Sequence, residues 1–194
     1  MSNPRITLLS YYKDESRFLR AMIESAIDAM DMAGCTTELL LLDNGSTDDS
    51  RAIAHSFDDP RMRFLDFDED IAGPDLDFGH ENTVAFEACR GDLIAIVGGD
   101  DLIFPDRLAI QVKSFDQDPL LDVCHGICLC IDANSNKTGQ VMSSHPYHEY
   151  NALRIMLSFC IIGYPTAMIK RSSWQSIAPF GGGYAPDFWM WGET

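Results

Sequence analysis

Apolar positions follow two rhythms along this chain. Continuous runs at Arg5–Leu9 (RITLL), Glu38–Leu42 (ELLLL), Met62–Phe67 and Leu93–Val97 suit strands buried on both faces. Between them Phe18, Leu19, Met22, Ile23, Ala26, Ile27 and Met30 recur at helical spacing, and Gly34 is placed to end that helix. Ser50–Phe57, His80–Cys89 and Pro105–Phe115 read as further helices, with Pro105 at a first-turn position where its missing N–H costs nothing. Beyond residue 115 the pattern predicts a strand over Asp122–Ile131, a turn at Asp132–Lys137 and a hairpin partner at Gln140–Met142. It then predicts a helix over Asn151–Cys160, a strand over Thr166–Lys170, a short helix over Ser172–Ser176 and a helix opening at Pro186.

Strand–helix alternation over the first 115 residues implies an α/β fold with a mostly parallel sheet and helices on both faces. Such sheets bind ligands at the carboxyl ends of their strands. That rule gathers Ser10–Lys13, Asp43–Ser46 and Gly98–Asp101 at one rim. The most informative stretch is Ile94–Leu108, IAIVGGDDLIFPDRL. A buried run breaks at two glycines, and two adjacent carboxylates follow, Asp100 and Asp101. Such a pair repels itself and gains little unless a cation sits between it and a ligand. Asp68–Phe78 is a polar loop of a length that is often functional.

Charge narrows the classes. Thirty acidic against 14 basic residues give a net charge of −16. General nucleic-acid binding needs a basic stripe and is disfavoured. An anionic ligand would need a divalent metal or backbone N–H groups to compensate. With 194 residues and 46% hydrophobic content, the chain supports one substantial domain. No signal peptide is evident, since the N-terminus reaches charge too soon. The longest apolar run, Ile155–Gly163, is about half of the ~20 residues a spanning helix needs. Six cysteines without a CxxC pair read as reduced and mostly buried, with Cys124, Cys128 and Cys130 on one face of one strand and His125 on the other. Solvated side chains are expected at His145 and His148.

In order, LLSYYK, LLLLDNGSTDDS, HENTVAFEACRGDLIAI, GGDDLIFPDRL and PDFWMW resemble the family 2 inverting glycosyltransferases of the GT-A fold, from Arg5 to Trp191. The resemblance implies a nucleotide-diphospho-sugar donor, Mn²⁺ or Mg²⁺ bridging its diphosphate, and transfer of a hexosyl-type sugar to an acceptor hydroxyl. It makes Asp101 the metal ligand, Asp100 a contact to ribose or metal-bound water, and Asp43 and Asn44 the residues facing the base. Ser10 and Tyr12 join them from the first loop, and Asp187 is the catalytic base. Gly98 stands where the family usually has a further acidic residue. His80, Glu81 and Asn82 stand where it often has Ala-Arg-Asn, so one diphosphate contact is missing. Lys13 replaces a common Asn.

On this reading residues 1–115 form the donor-binding half and 116–194 an acceptor-side half of the same domain, truncated or compact. Trp189 and Trp191 suit an acceptor subsite, and Gly181–Tyr184 a lid. The partner would be a saccharide or lipid-linked acceptor, with no nucleic acid involved. A cytoplasmic location is expected in polysaccharide or cell-envelope synthesis, peripheral attachment to the inner membrane face being left open. Two other classes compete: a nucleotidyltransferase, which would usually carry a glycine-rich basic loop after the first strand, and a glycosyltransferase-like module that binds without turnover.

Overall fold

The computed structural model describes residues 3–71, 78–142 and 163–177. Its centre is a six-stranded sheet. Four parallel strands run side by side in the order β3 (Met62–Phe67), β2 (Thr37–Asn44), β1 (Ile6–Tyr12) and β4 (Leu93–Gly98). Continuous burial explains why they read as apolar runs: Leu39, Leu40, Leu41 and Leu42 are all fully buried. The pleat sends alternate residues to opposite faces. Leu39 and Leu41 pack with helix α1 (Leu19–Met32), while Leu40 and Leu42 pack with helix α3 (Phe78–Ala88) on the other side.

Helix α1 docks through Leu19, Met22, Ile23, Ala26, Ala29 and Met30, a single face at helical spacing. Gly34 follows with φ +70°, the left-handed conformation that ends helices. The short helix α2 (Ser50–Ala54) lies between β2 and β3, and α4 (Arg107–Gln117) follows β4 on the α1 side, burying Leu108, Gln111, Val112 and Phe115.

The second half joins the same sheet. Strand β5 (Val123–Cys124) and a later strand over Met168–Lys170 extend it beyond β4, the latter antiparallel to both neighbours. Between them β6 (Cys128–Ile131) and β7 (Lys137–Met142) form a separate antiparallel hairpin. The Met168–Lys170 strand, β8, leads directly into helix α5 (Arg171–Ile177), whose Trp174 stacks on Phe86 at 5.3 Å.

Three expectations need correction. The single strand over Asp122–Ile131 is two strands in two sheets. The chain leaves the main sheet at His125–Ile127, where Thr166 Oγ1 accepts the Gly126 N–H at 3.2 Å. Consequently Cys124 does not share a strand with Cys128 and Cys130. Of the five described cysteines, all free thiols, only Cys89 is buried and the others are half-buried. Pro105 sits in a turn two residues before α4, and Asp106 is the cap residue. The helix expected over Asn151–Cys160 lies outside the described residues. Among the described residues no helix is long and apolar enough to cross a membrane.

Candidate functional site

The four parallel strands end at a common rim, and the loops there are stitched to one another. Asp14, with φ 55°, takes the Thr47 N–H at 2.7 Å and the Asp48 N–H at 3.2 Å. In return Asp14 N–H donates to Ser46 Oγ and Ser16 N–H to Asp48 Oδ2. The KDES and GSTDDS segments therefore hold each other, with short polar side chains replacing the ladder bonds that stop at the strand ends.

At the end of β4 the two glycines do different work. A Cβ on Gly99 would lie 2.6 Å from Tyr12 Cβ and 2.9 Å from Tyr11 O, so only glycine lets this turn press against β1. A Cβ on Gly98 would instead meet Asp101 Oδ2 at 2.8 Å and Asp100 Oδ1 at 3.1 Å. Both carboxylates fold back over the same glycine. Burial, and then the Asp100 charge, raise the Asp101 carboxyl above its ordinary range. Glu15 is raised by burial, with Asp100, Asp48, Asp101 and Asp14 adding to the effect. At Asp101 a backbone hydrogen bond from Gly98 and the Arg107 charge offset this only in part, and two hard oxygen donors converging here fit a divalent cation. Among the described residues no third metal-binding side chain completes a cluster, so a cation here would take its remaining ligands from phosphate oxygens and water.

The other rim residues are placed differently from the sequence expectation. Strand β1 runs on through Tyr12, so Ser10 and Tyr12 lie in the strand and the loop begins at Lys13. Both side chains are buried, and among the described residues neither hydroxyl has a hydrogen-bond partner. Burial pushes the Tyr12 phenol well up, with the nearby Asp43 charge adding to it. Asp43 is fully buried and committed internally: one oxygen takes the Ser46 N–H at 2.8 Å, the other Arg51 Nε at 2.5 Å. Arg51 also holds Asp68 and the Phe67 carbonyl, which locks α2 to β3. Asn44 donates to Asp70 Oδ1 at 2.8 Å and accepts the Ile71 N–H at 2.7 Å. It pins the loop after β3 across the rim, where the backbone of Glu69 and Asp70 closes on Gly45 (φ +76°).

That pinning brings Asp70 to Lys13 and sets the pair beside helix α3. Asp70 takes Lys13 Nζ on its second oxygen at 2.6 Å. Beside this pair Glu81, on α3, is 6% exposed, and its carboxyl is pushed up to about 7 by burial and then by Asp70. On the same helix Asn82 Oδ1 accepts two phenol hydrogens, from Tyr11 at 2.7 Å and from Tyr164 at 2.6 Å. Arg107 ties the end of β4 to the second half, donating to the carbonyls of Ile96, Pro165 and Ala167. The polar composition of Asp68–Phe78, the turn chemistry of Lys13–Ser16 and the departures at Lys13 and His80–Asn82 pointed this way, and none of them names a partner. A cleft of about 990 Å³ opens beside Asp100 and Asp101, walled by Tyr164 and the β6–β7 hairpin. Asp187, Trp189, Trp191 and Gly181–Tyr184 lie outside the described residues, as do His145 and His148.

Comparison with known proteins agrees with this layout. The chain is 32% identical over 114 residues to the succinoglycan biosynthesis protein ExoO of Rhizobium meliloti (strain 1021), covering 58% of this chain and 30% of that protein. It thus spans less than a third of that relative's length. Among solved structures, S. aureus TarS 1-349 in complex with UDP-GlcNAc superposes with a TM-score of 0.68 at 16% identity, over 96% of this chain and 52% of that one. The mannosyltransferase PcManGT from Pyrobaculum calidifontis, in complex with GDP-Man and Mn²⁺, gives 0.61 at 17%, over 93% and 48%. At these identities the structural likeness shows the shared fold. The sequence pattern of "Glycosyl transferase family 2" matches residues 9–177, nearly the whole described region, and the chain belongs to that family.

Proposed function

We propose that the rim binds a nucleotide-diphospho-sugar and that the protein transfers its sugar to an acceptor hydroxyl with inversion. The observation that carries this is the convergence of Asp100 and Asp101 over Gly98, an arrangement that folding alone would not favour. Asp101 would hold Mn²⁺ or Mg²⁺ with the donor diphosphate, and Asp100, the more exposed of the two, would reach ribose or a metal-bound water. When bound, the cation neutralises the leaving diphosphate. The glycine at 98 leaves room for both carboxylates, which offsets the acidic residue missing there.

Ser10, Tyr12, Asp43 and Asn44 then shape the nucleotide site from beneath, with the Lys13–Asp70 pair beside them. Asp187 would take the proton of the attacking hydroxyl, which needs a base on the face opposite the diphosphate. Residues 1–115 supply the donor side and 116–194 the acceptor side, for a saccharide or lipid-linked acceptor in polysaccharide synthesis. A cytoplasmic site of action, with or without attachment to the inner membrane face, suits such an acceptor.

The test is binding of a nucleoside diphosphate with and without Mn²⁺, for the wild type and Asp101→Ala. The expected result is metal-enhanced binding in the wild type alone. Equal binding in all four conditions would remove the metal bridge. For the base, Asp187→Asn should keep donor binding and lose transfer, and full activity in that variant would exclude Asp187.

A further inference from the structure

The β6–β7 hairpin forms a sheet of its own, and none of Leu129, Ile131, Val141 and Met142 belongs to the core on either face of the main sheet. Leu129 lies opposite Val141 across the hairpin, so the two side chains share one face, 36% and 49% exposed. Apolar side chains left in water do little for folding, and a two-stranded ribbon is marginal alone. The ribbon is held from outside: Arg17, just before α1, donates to the Ala133 carbonyl in its turn at 2.8 Å. Between the hairpin and the loop after β4 lies a pocket of about 320 Å³ that adjoins the larger cleft, with Asp101 lining both. Leu102, Phe104, Ile127, Leu129 and Ile131 line the pocket, and Val141 and Met142 the cleft. These are seven of the ten large apolar side chains that the described residues leave exposed. Such side chains gathered in one concave place mark a ligand site. The charge there suits an anionic head. Lys137 lines the pocket and is in no ion pair among the described residues, and Arg17 lines the cleft. Of the carboxylates, Asp132 is spent on the N–H groups of Asn134 and Asn136 in its own turn, and Asp100 and Asp101 are the cation's pair.

We infer that this pocket holds the apolar chain of the acceptor, which is therefore a lipid: a hydroxyl-bearing head joined through phosphate to a hydrocarbon chain. The head lies in the cleft beside Asp101, and Arg17 and Lys137 are the cations that meet the phosphate. The inference rests on the rim being the donor site. It decides between the two acceptor classes, because a free saccharide would leave the pocket's apolar walls in water, whereas a chain removes them from it. The volume falls at the lower end of the range for small-molecule sites, about 300–1,000 Å³, and suits a single chain.

Calorimetric titration with alkyl phosphates from butyl to octyl, below the concentrations at which they form micelles, tests it in Mn²⁺ with saturating UDP-GlcNAc or GDP-Man. The expected result is affinity rising about fourfold per methylene, with inorganic phosphate far weaker than octyl phosphate. Leu129→Asn and Phe104→Ser alter exposed side chains outside both cores, so each should unfold in urea like the wild type and flatten the chain-length series. Ile110→Ser, at a residue 58% exposed on α4 that lines neither pocket nor cleft, should leave the series intact. Equal affinity for butyl and octyl phosphate, or a series unaltered in both variants, overturns the inference and leaves the donor site standing. So does displacement of octyl phosphate by the nucleotide sugar, which would put the chain in the donor site. Adsorption to phosphatidylglycerol vesicles without binding of monomeric octyl phosphate also overturns it, in favour of a membrane-facing patch. If neither nucleotide sugar binds in Mn²⁺, the donor-site reading falls, and the pocket's acceptor role with it.

Discussion

Glu38 and Glu81 are almost equally buried, 5% and 6% exposed, at opposite ends of the same sheet. Glu38 sits near the start of β2, where Thr7 Oγ1 donates to it at 2.6 Å, the Arg90 N–H at 2.9 Å and an Arg63 nitrogen at 3.1 Å. Gly91 N–H completes the knot by donating to Thr7 Oγ1 at 2.8 Å. Glu81 has no such set of donors among the described residues, and burial and then the Asp70 charge push its carboxyl up to about 7. The rest of the two ends follows suit. At the amino end Arg63 also caps the Ala88 carbonyl. At the carboxyl end Asp101 is raised by burial and then by Asp100, and Glu15 by burial and then by Asp100, Asp48 and Asp101. Carboxyls pushed up by burial and clustered at one end of a sheet mark that end as the functional-site candidate.

The largest expected effect is functional. Asp101→Ala should lower sugar transfer about a thousandfold while leaving unfolding by urea nearly unchanged, since the lost group stabilises charge on the leaving diphosphate rather than the fold. A stability loss as large as that of an amino-end variant would erase the contrast between the ends.

Next comes Glu38→Ala. It strands Arg63 in a half-buried position and removes the partner of Thr7, and should cost about 3 kcal/mol in urea unfolding, with donor binding by the remaining folded protein unaltered. Arg51→Met is its counterpart under the rim. It leaves fully buried Asp43 without its cation at a similar cost, about 3 kcal/mol, and loosens α2 as well.

Glu81→Gln should act in the opposite direction. The folded carboxyl is raised from 4.5 to about 7. Its stabilising contribution is therefore complete below about pH 4.5 and lost as pH rises through 7. The variant should gain up to about 3 kcal/mol over wild type at pH 8 and nothing at pH 4.5, measured as the pH dependence of urea midpoints. Equal pH dependence in both proteins would mean Glu81 is as well satisfied as Glu38.

The smallest effect is expected at Gly98→Ala. The added methyl meets only the tips of Asp100 and Asp101, which can swing aside, so stability should change by less than about 0.5 kcal/mol. Nucleotide binding in Mn²⁺ should weaken several-fold because the two carboxylates no longer converge. Gly99→Ala, whose methyl meets the β1 backbone and Tyr12 Cβ, is the matching control and should cost about 2 kcal/mol.

The chain's own pattern determined a good deal. Buried parallel strands announce themselves as unbroken apolar runs, because both faces are covered, and β1 to β4 were legible to within a few residues. The rule that ligands meet such sheets at the strand carboxyl ends then brought Lys13, Asp43, Asn44, Asp100 and Asp101 to one rim. Short peripheral strands were less legible. Asp122–Ile131 carries one continuous pattern, and only its partners, β8 for Val123–Cys124 and β7 for Cys128–Ile131, divide it.

Only the tertiary structure decided what each rim residue faces. A motif specifies residue type and order, whereas burial and hydrogen bonding depend on chain segments far apart in sequence. Asp43 turned inward because Arg51 reaches it across α2, and Asn44 because Asp70 and Ile71 fold over it. Glu81 was legible only as an absent arginine. Its raised carboxyl arises from burial beside Asp70, which Asn44 and Lys13 hold in place, and no local pattern records that.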